Sequence, residues 1–217
     1  MKSASYPIIL ALLGFTSAGA IATTAIDSPR NDWNFTVYLD EDAVGKHRFT
    51  LTESESMRRL RSEARFAVKI LGFEAYRYAH EASESWEGNC LRKIEASTDD
   101  NGERSSLTGN ETQGRFELNK NRSKETLPAC IMTFAYWNPL ILRQSRLLNP
   151  QTGEYTGVQI ESRGRETIPV QGQPVVAERY HLDAGKFQID LWYAQGDRWV
   201  ALDSTLENGR KLRYRIE

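Results

Sequence analysis

The stretch Leu60–Trp86, LRSEARFAVKILGFEAYRYAHEASESW, decides the fold. In one register Leu60, Ser62, Ala64, Phe66, Val68 and Ile70 alternate with Arg61, Glu63, Arg65 and Lys69; beyond Leu71-Gly72, the residues Tyr76, Tyr78, His80, Ala82, Glu84 and Trp86 share one parity. A period of two describes a pair of half-buried strands joined at a glycine. The same letters satisfy a helix, because Leu60, Ala64, Ala67, Val68 and Leu71 fall at offsets of four, seven, eight and eleven, and Ala, Glu and Arg are good helix formers. The choice reaches chemistry. On a helix His80 and Glu84 sit one turn apart and can share a metal ion; on a strand they are roughly 13 Å apart.

The flanking sequence favours strands. Upstream, Trp33–Leu39 alternates, residues 40–45 make a turn, and His47–Leu51 alternates again as a first hairpin. Downstream, Leu91–Ala96 leads into Thr98-Asp99-Asp100-Asn101-Gly102, and Asn-Gly between alternating segments is a strong hairpin signal. A 27-residue helix without caps would be out of place between these hairpins. Ser105–Thr126 is polar, with Phe116 and Leu118 its main apolar residues, and reads as short edge strands and loop. Ile131–Trp137 is strongly apolar, and Asn138-Pro139 fits an N-cap followed by proline at the first helical position, which marks a short helix over Leu140–Leu142. From Val158 onward six short runs of period two alternate with breaks at Gly164, Gly172, Gly185, Gly196 and Gly209. The expected fold is mainly β: a curved antiparallel meander, half-barrel or barrel, of about 10–12 strands with one or two short helices. No βαβ alternation points to a parallel nucleotide-binding sheet.

Lys2, the apolar run Pro7–Leu13 and the small residues Ala18–Ala22 have the form of a secretory signal peptide. The apolar run is about half of what a spanning helix needs. The expected organisation is a signal peptide over residues 1–22, a flexible lead-in over 23–30 and a single antiparallel β domain over 31–217, periplasmic or secreted. No cysteine near the cleavage zone supports a lipid anchor, and no later run is long enough to span a bilayer. In an oxidising compartment the two cysteines, Cys90 and Cys130, are expected to pair. The formal net charge of -1 over 217 residues leaves no footprint for nucleic acid or anionic membrane.

Taken together, Gly72–His80, Glu84-Ser85-Trp86, Thr98–Gly102, Tyr136-Trp137-Asn138, Asp190–Tyr193 and Trp199-Val200 resemble an exported bacterial family known as a domain of unknown function. The closing strands, with Leu191-Trp192-Tyr193 and residues 209–214, are more distantly similar to the curved half-barrels of the lipoprotein carriers LolA and LolB. The resemblance implies a strongly bent sheet with an apolar concave face closed by short helices. The chain departs from LolB in lacking an anchoring cysteine, and fold analogy does not carry function.

Motifs for known chemistry are absent. There is no G-x-S-x-G elbow, phosphate loop, dinucleotide fingerprint or H-E-x-x-H pattern. Asp99–Gly102 lacks the ligand spacing of a calcium loop and reads as a turn. No catalytic, metal or cofactor site is expected, and His47, His80 and His181 read as ordinary hydrogen-bonded or surface histidines. What stands out is the aromatic load: Tyr76, Tyr78, His80 and Trp86 on one strand face, Tyr136 and Trp137 before the short helix, and Trp192 and Trp199 on closing strands. Such residues either fill a core or line a pocket for an apolar ligand, with Tyr136–Leu142 a candidate lid. The leading expectation is a non-enzymatic binder or carrier of a lipid-like molecule. The alternatives are an envelope protein-interaction module with a filled core and an uncharacterised hydrolase-like enzyme.

Overall fold

The structure, a computed structural model, describes residues 30–217 apart from 71, 72, 122, 207 and 208. The expected signal peptide, the lead-in segment up to residue 29 and the bend at Gly72 lie outside the described residues. The strands are β1 (Arg30–Leu39), β2 (Asp42–Ser54), β3 (Met57–Ile70), β4 (Phe73–Glu87), β5 (Cys90–Asp100), β6 (Glu103–Thr112), β7 (Arg115–Lys120) and β8 (Ser123–Pro128). After a 3-10 turn over Pro139–Arg143 come β9 (Arg146–Leu148), β10 (Tyr155–Gly157), β11 (Gln159–Val170), β12 (Gln173–Asp183), β13 (Gln188–Ala194), β14 (Arg198–Thr205) and β15 (Lys211–Ile216). Thirteen strands form one antiparallel sheet in the order β11-β12-β13-β14-β15-β1-β2-β3-β4-β5-β6-β7-β8, and β9 pairs with β10 separately. The sheet is a curved meander that does not close into a barrel.

The deciding stretch is two strands. β3 and β4 pair from Met57↔Glu87 to Ile70↔Phe73, with one register shift between Val68 and Lys69. Burial follows the period-two reading: Leu60, Ser62, Ala64 and Phe66 are buried on β3, and His80, Ala82, Glu84 and Trp86 on β4. On an antiparallel ladder this parity puts both sets on one face, which is the inside of the curl. Residues 105–126 contribute more sheet than their polarity implies, because β6–β8 turn Leu107, Phe116, Leu118 and Leu127 inward one at a time. Gly109 on β6 has no Cβ for a reason: a Cβ there would lie 2.5 Å from the Phe116 ring.

The chain between β8 and β11 crosses the inside of the curl. Ile131, Met132, Phe134, Ala135, Trp137, Ile141, Leu147 and Leu148 are all buried in one cluster with Phe35, Leu60, Trp86, Leu91, Ile94, Leu118, Leu182 and Leu191. Asn138 caps the 3-10 turn by accepting from the Leu140 N–H at 3.1 Å, with Pro139 in the first position. The expected short helix is therefore a single turn, and its Ile141 is completely buried. A smaller cluster of Val170, Ala177, Trp192, Ala194, Val200 and Ala201 covers part of the outer face.

Cys90 opens β5, and Cys130 follows β8; the two are joined in a disulfide. Beside it the Leu91 N–H donates to the Ile131 carbonyl at 3.1 Å, so the bridge fastens the crossing segment where it enters the curl. The cross-link spans a sequence separation of 40 residues, and a loop of that size is worth ~4 kcal/mol in chain entropy. A Cys90→Ala/Cys130→Ala variant should lower the unfolding free energy by about that amount, read as a lower urea midpoint; an unchanged midpoint would show that the crossing segment is held by packing alone.

Candidate binding cavity

Strand register explains why the inside of the curl is not filled. Across β2, β3 and β4 the inward rows are Gly45–Phe66–Tyr78, His47–Ala64–His80 and Phe49–Ser62–Ala82. Large rings stand beside Gly, Ala and Ser, so the rows cannot interdigitate into a flush surface. A cavity of about 870 Å³ remains between these rows, β13–β15 and the crossing segment. At the β1–β2 turn the register slips so that Val37 faces Gly45 and Tyr38 faces Ala43. The extra residue, Val44, is thereby turned inward onto the cavity wall. Gly45 is needed there, since a Cβ would lie 2.0 Å from the Arg65 carbonyl oxygen.

The wall is mainly aromatic. Trp199 sits at a junction, with ring centroids 4.5 Å from Phe35, 5.2 Å from Phe49 and 5.3 Å from Tyr136. Phe66 stacks on Tyr78 at 5.3 Å, and His47 stacks on Phe49 at 4.0 Å. Phe134, Phe187, Ile189, Leu202 and Tyr214 complete the apolar surface.

Two polar pairs are set into it. His47 Nε2 lies 2.8 Å from Ser62 Oγ, and His80 Nδ1 lies 2.9 Å from Thr98 Oγ1, which in turn donates to the Gln151 carbonyl at 3.3 Å. Burial disfavours the charged imidazolium, holding His47 at about 3 and His80 at about 4. Burial also raises Tyr78, Tyr136 and Tyr214, so all three phenols stay protonated. The ionic groups, Asp100, Glu154, Lys186 and Arg210, lie at the rim, where Lys186 pairs with Glu154 and Arg210 with Asp40, each at 2.8 Å. The Ser62–His47 contact has the length of a nucleophile–base hydrogen bond. Among the described residues, however, no protein group partners His47 Nδ1 to orient the ring, and an imidazole held near 3 is a weak base. The interior thus offers neutral hydrogen-bonding groups in an apolar wall. No group of three or more His, Cys, Asp or Glu able to hold a metal occurs among the described residues.

Of the aromatic residues singled out in the sequence, Tyr76, Tyr78, His80, Tyr136 and Trp199 line the cavity. Trp86 shares their strand face but lies further along β4, where it meets Trp137 edge-on at 5.6 Å in packed core. Glu84 is buried beside them, accepting from Trp86 Nε1 at 3.0 Å and Thr133 Oγ1 at 3.3 Å; desolvation raises it to about 7. Trp192 is on the outer face, its Nε1 donating to Glu166 at 2.6 Å. His80 and Glu84, four apart on a strand, have separate partners. The Tyr136–Leu142 segment divides its work: Tyr136 faces the cavity, whereas Trp137 and Ile141 plug the packed end. His47 and Phe49 were legible as inward residues from the parity of β2, but their meeting with Tyr78 and His80 depends on which strands pair.

Comparison with other proteins agrees with this architecture. Residues 35–217 match the model of a family described as Domain of unknown function (DUF6134). A solved structure, the beta-barrel-like protein of domain of unknown function DUF1849 from Brucella abortus, is similar with a TM-score of 0.62 and 7% sequence identity, over 87% of this chain and 94% of that one. At that identity the likeness is one of fold. No curated protein matches the chain. Among the described residues no helix is long and apolar enough to cross a membrane.

Proposed function

Because the chain belongs to the DUF6134 family, whose function is unknown, we propose from the cavity itself that the protein binds and carries a hydrophobic, lipid-like small molecule. The observation that carries this reading is a cavity of about 870 Å³ with an aromatic and aliphatic wall and ionic groups only at its rim. Ligand pockets span ~300–1,000 Å³ and combine an apolar lining with a few placed polar groups. An apolar wall of this size facing only water loses the dispersion contacts and hydrophobic gain that an occupant supplies. An interaction module with a filled core has less support here, since packed core fills the Trp86–Trp137 end of the interior while the cavity takes up the other. The leader-like N-terminus and the Cys90–Cys130 bridge favour action outside the cytoplasm.

The test is uptake of an uncharged naphthylamine fluorophore, which brightens in apolar surroundings. Purified protein should saturate with one high-affinity probe per chain. Ser204→Trp, which adds a ring on the cavity wall at a half-buried position, should weaken uptake about tenfold with the far-UV spectrum unchanged. If the wild type leaves the probe dark and organic extraction of the purified protein releases no lipid-like mass, carriage of an apolar ligand is ruled out.

A further inference from the structure

We infer that the ligand of this cavity carries an uncharged hydrogen-bonding group, a hydroxyl or carbonyl on an apolar body, which is received between His47 and Tyr78. This rests on the binding reading above and narrows its chemistry. His47 is 6% exposed. Its Nδ1 and the Tyr78 hydroxyl oxygen are both buried with no hydrogen-bond partner among the described residues. The two belong to neighbouring inward rows and flank the same ring. Phe66 lies 5.3 Å from Tyr78 and 6.4 Å from His47, centroid to centroid. A buried polar atom left unpaired is a standing cost to the free protein. Both atoms are covered in the free state, so meeting them takes a tilt of the rings. A ligand group that parts the rings relieves that cost, while a plain hydrocarbon leaves it in place.

Charge distribution says which polar group fits. The inner polar side chains, His47, Ser62, His80 and Tyr78, are all neutral, and the phenol donates while the imidazole nitrogen accepts or donates according to its tautomer. An ionised head drawn to this depth loses its hydration without meeting an opposite charge. At the rim, Lys186 and Arg210 already face Glu154 and Asp40, so a carboxylate or phosphate there has to compete with an existing partner.

The experiment is displacement of the naphthylamine probe at pH 8 by four compounds with a ten-carbon chain, each below its solubility or micellar limit: decan-1-ol, 1-chlorodecane, decanoate and decyltrimethylammonium. Decan-1-ol should displace at a concentration at least tenfold lower than decanoate or the ammonium. Tyr78→Phe should raise the decan-1-ol concentration needed by at least threefold while leaving that of 1-chlorodecane unchanged. His47→Phe should do the same and serves if Tyr78→Phe no longer takes up the probe. Equal displacement by decan-1-ol and decanoate overturns the inference, as does an unchanged decan-1-ol response in both variants; in either case the binding reading stands. A wild type that takes up no probe overturns both.

Discussion

Acidification from pH 7 to pH 5 should lower the unfolding free energy by ~2 kcal/mol, and Glu84→Gln should roughly double that loss. The sign follows from three buried groups. His47 and His80, held at about 3 and about 4, stay neutral in the fold while their unfolded counterparts take up protons below about 6.5. The unfolded chain then binds more protons, so stability falls as pH drops from about 6.5 towards 4, each histidine losing ~2 kcal/mol by pH 5. Glu84 works the other way. Its carboxyl, raised to about 7, is protonated in the fold across a window where the unfolded carboxyl is ionised. Stability from this group therefore rises as pH falls from about 7 towards 4.5 and returns ~2 kcal/mol. Glutamine keeps an acceptor for Trp86 and Thr133 but removes the titration, so the histidine slope appears undiminished. Urea unfolding at pH 5, 6 and 7 measures all of this. A flat profile in the wild type together with a flat profile in Glu84→Gln would mean that the histidines do not remain neutral in the fold.

Trp199→Ala should cost ~3–5 kcal/mol, the range for a large aromatic truncated in a core, and it should also raise the probe's dissociation constant by an order of magnitude. Trp199 is 1% exposed and its Nε1 donates to the Ala201 carbonyl at 3.0 Å, so the ring is fixed in one orientation by its own strand. It packs on Phe35 and Phe49 behind and on Tyr136 in front. Removing it frees those three rings to slump and blurs the boundary between core and cavity. Trp86→Ala is the control. That ring is completely buried but belongs to the packed end with Trp137, so its loss should cost a similar amount of stability while the probe binds as before at low temperature. Equal loss of probe affinity in both variants would show that the two ends of the interior are one mechanical unit.

The architecture was readable where sequence parity and turn chemistry agree. Leu60–Trp86 alternates in both halves, and Asn101-Gly102 turns β5 into β6 with Asn101 at φ 51° and Gly102 at φ 98°. Cys90 and Cys130, the two cysteines expected to pair, are joined. Two features hid from this reading. The residues of β6–β8 are polar on their outer face and present few apolar residues inward, so their pattern is too thin to tell a strand from a loop. The cavity was half visible for a different reason. Parity states which face a residue takes, but not how far along the strand the empty volume ends, and so Trp86 and Tyr78 look alike although one packs and the other lines a space. Trp192 stands next to a register shift between Trp192 and Tyr193, and both neighbours of the slip are buried, on opposite faces. Hydrophobicity alone cannot say which of two adjacent buried aromatics points inward.

The pairing of β1 with β15, from Phe35↔Ile216 to Leu39↔Leu212, places a six-residue strand near the middle of the sheet. Everything on one side of that seam is β11–β14, and everything on the other is β1–β8. Until β15 is in place the chain is two ribbons with bare inner edges, each open to mispairing, and their union waits on contacts about as distant in sequence as this protein possesses, which is a slow step by topology. Phe49 and Phe66 belong to one ribbon, Leu202 and Trp199 to the other. The cavity therefore does not exist in either half: it comes into being when the seam closes, and a chain that has lost its last strand is not a trimmed version of the protein but one without an inside.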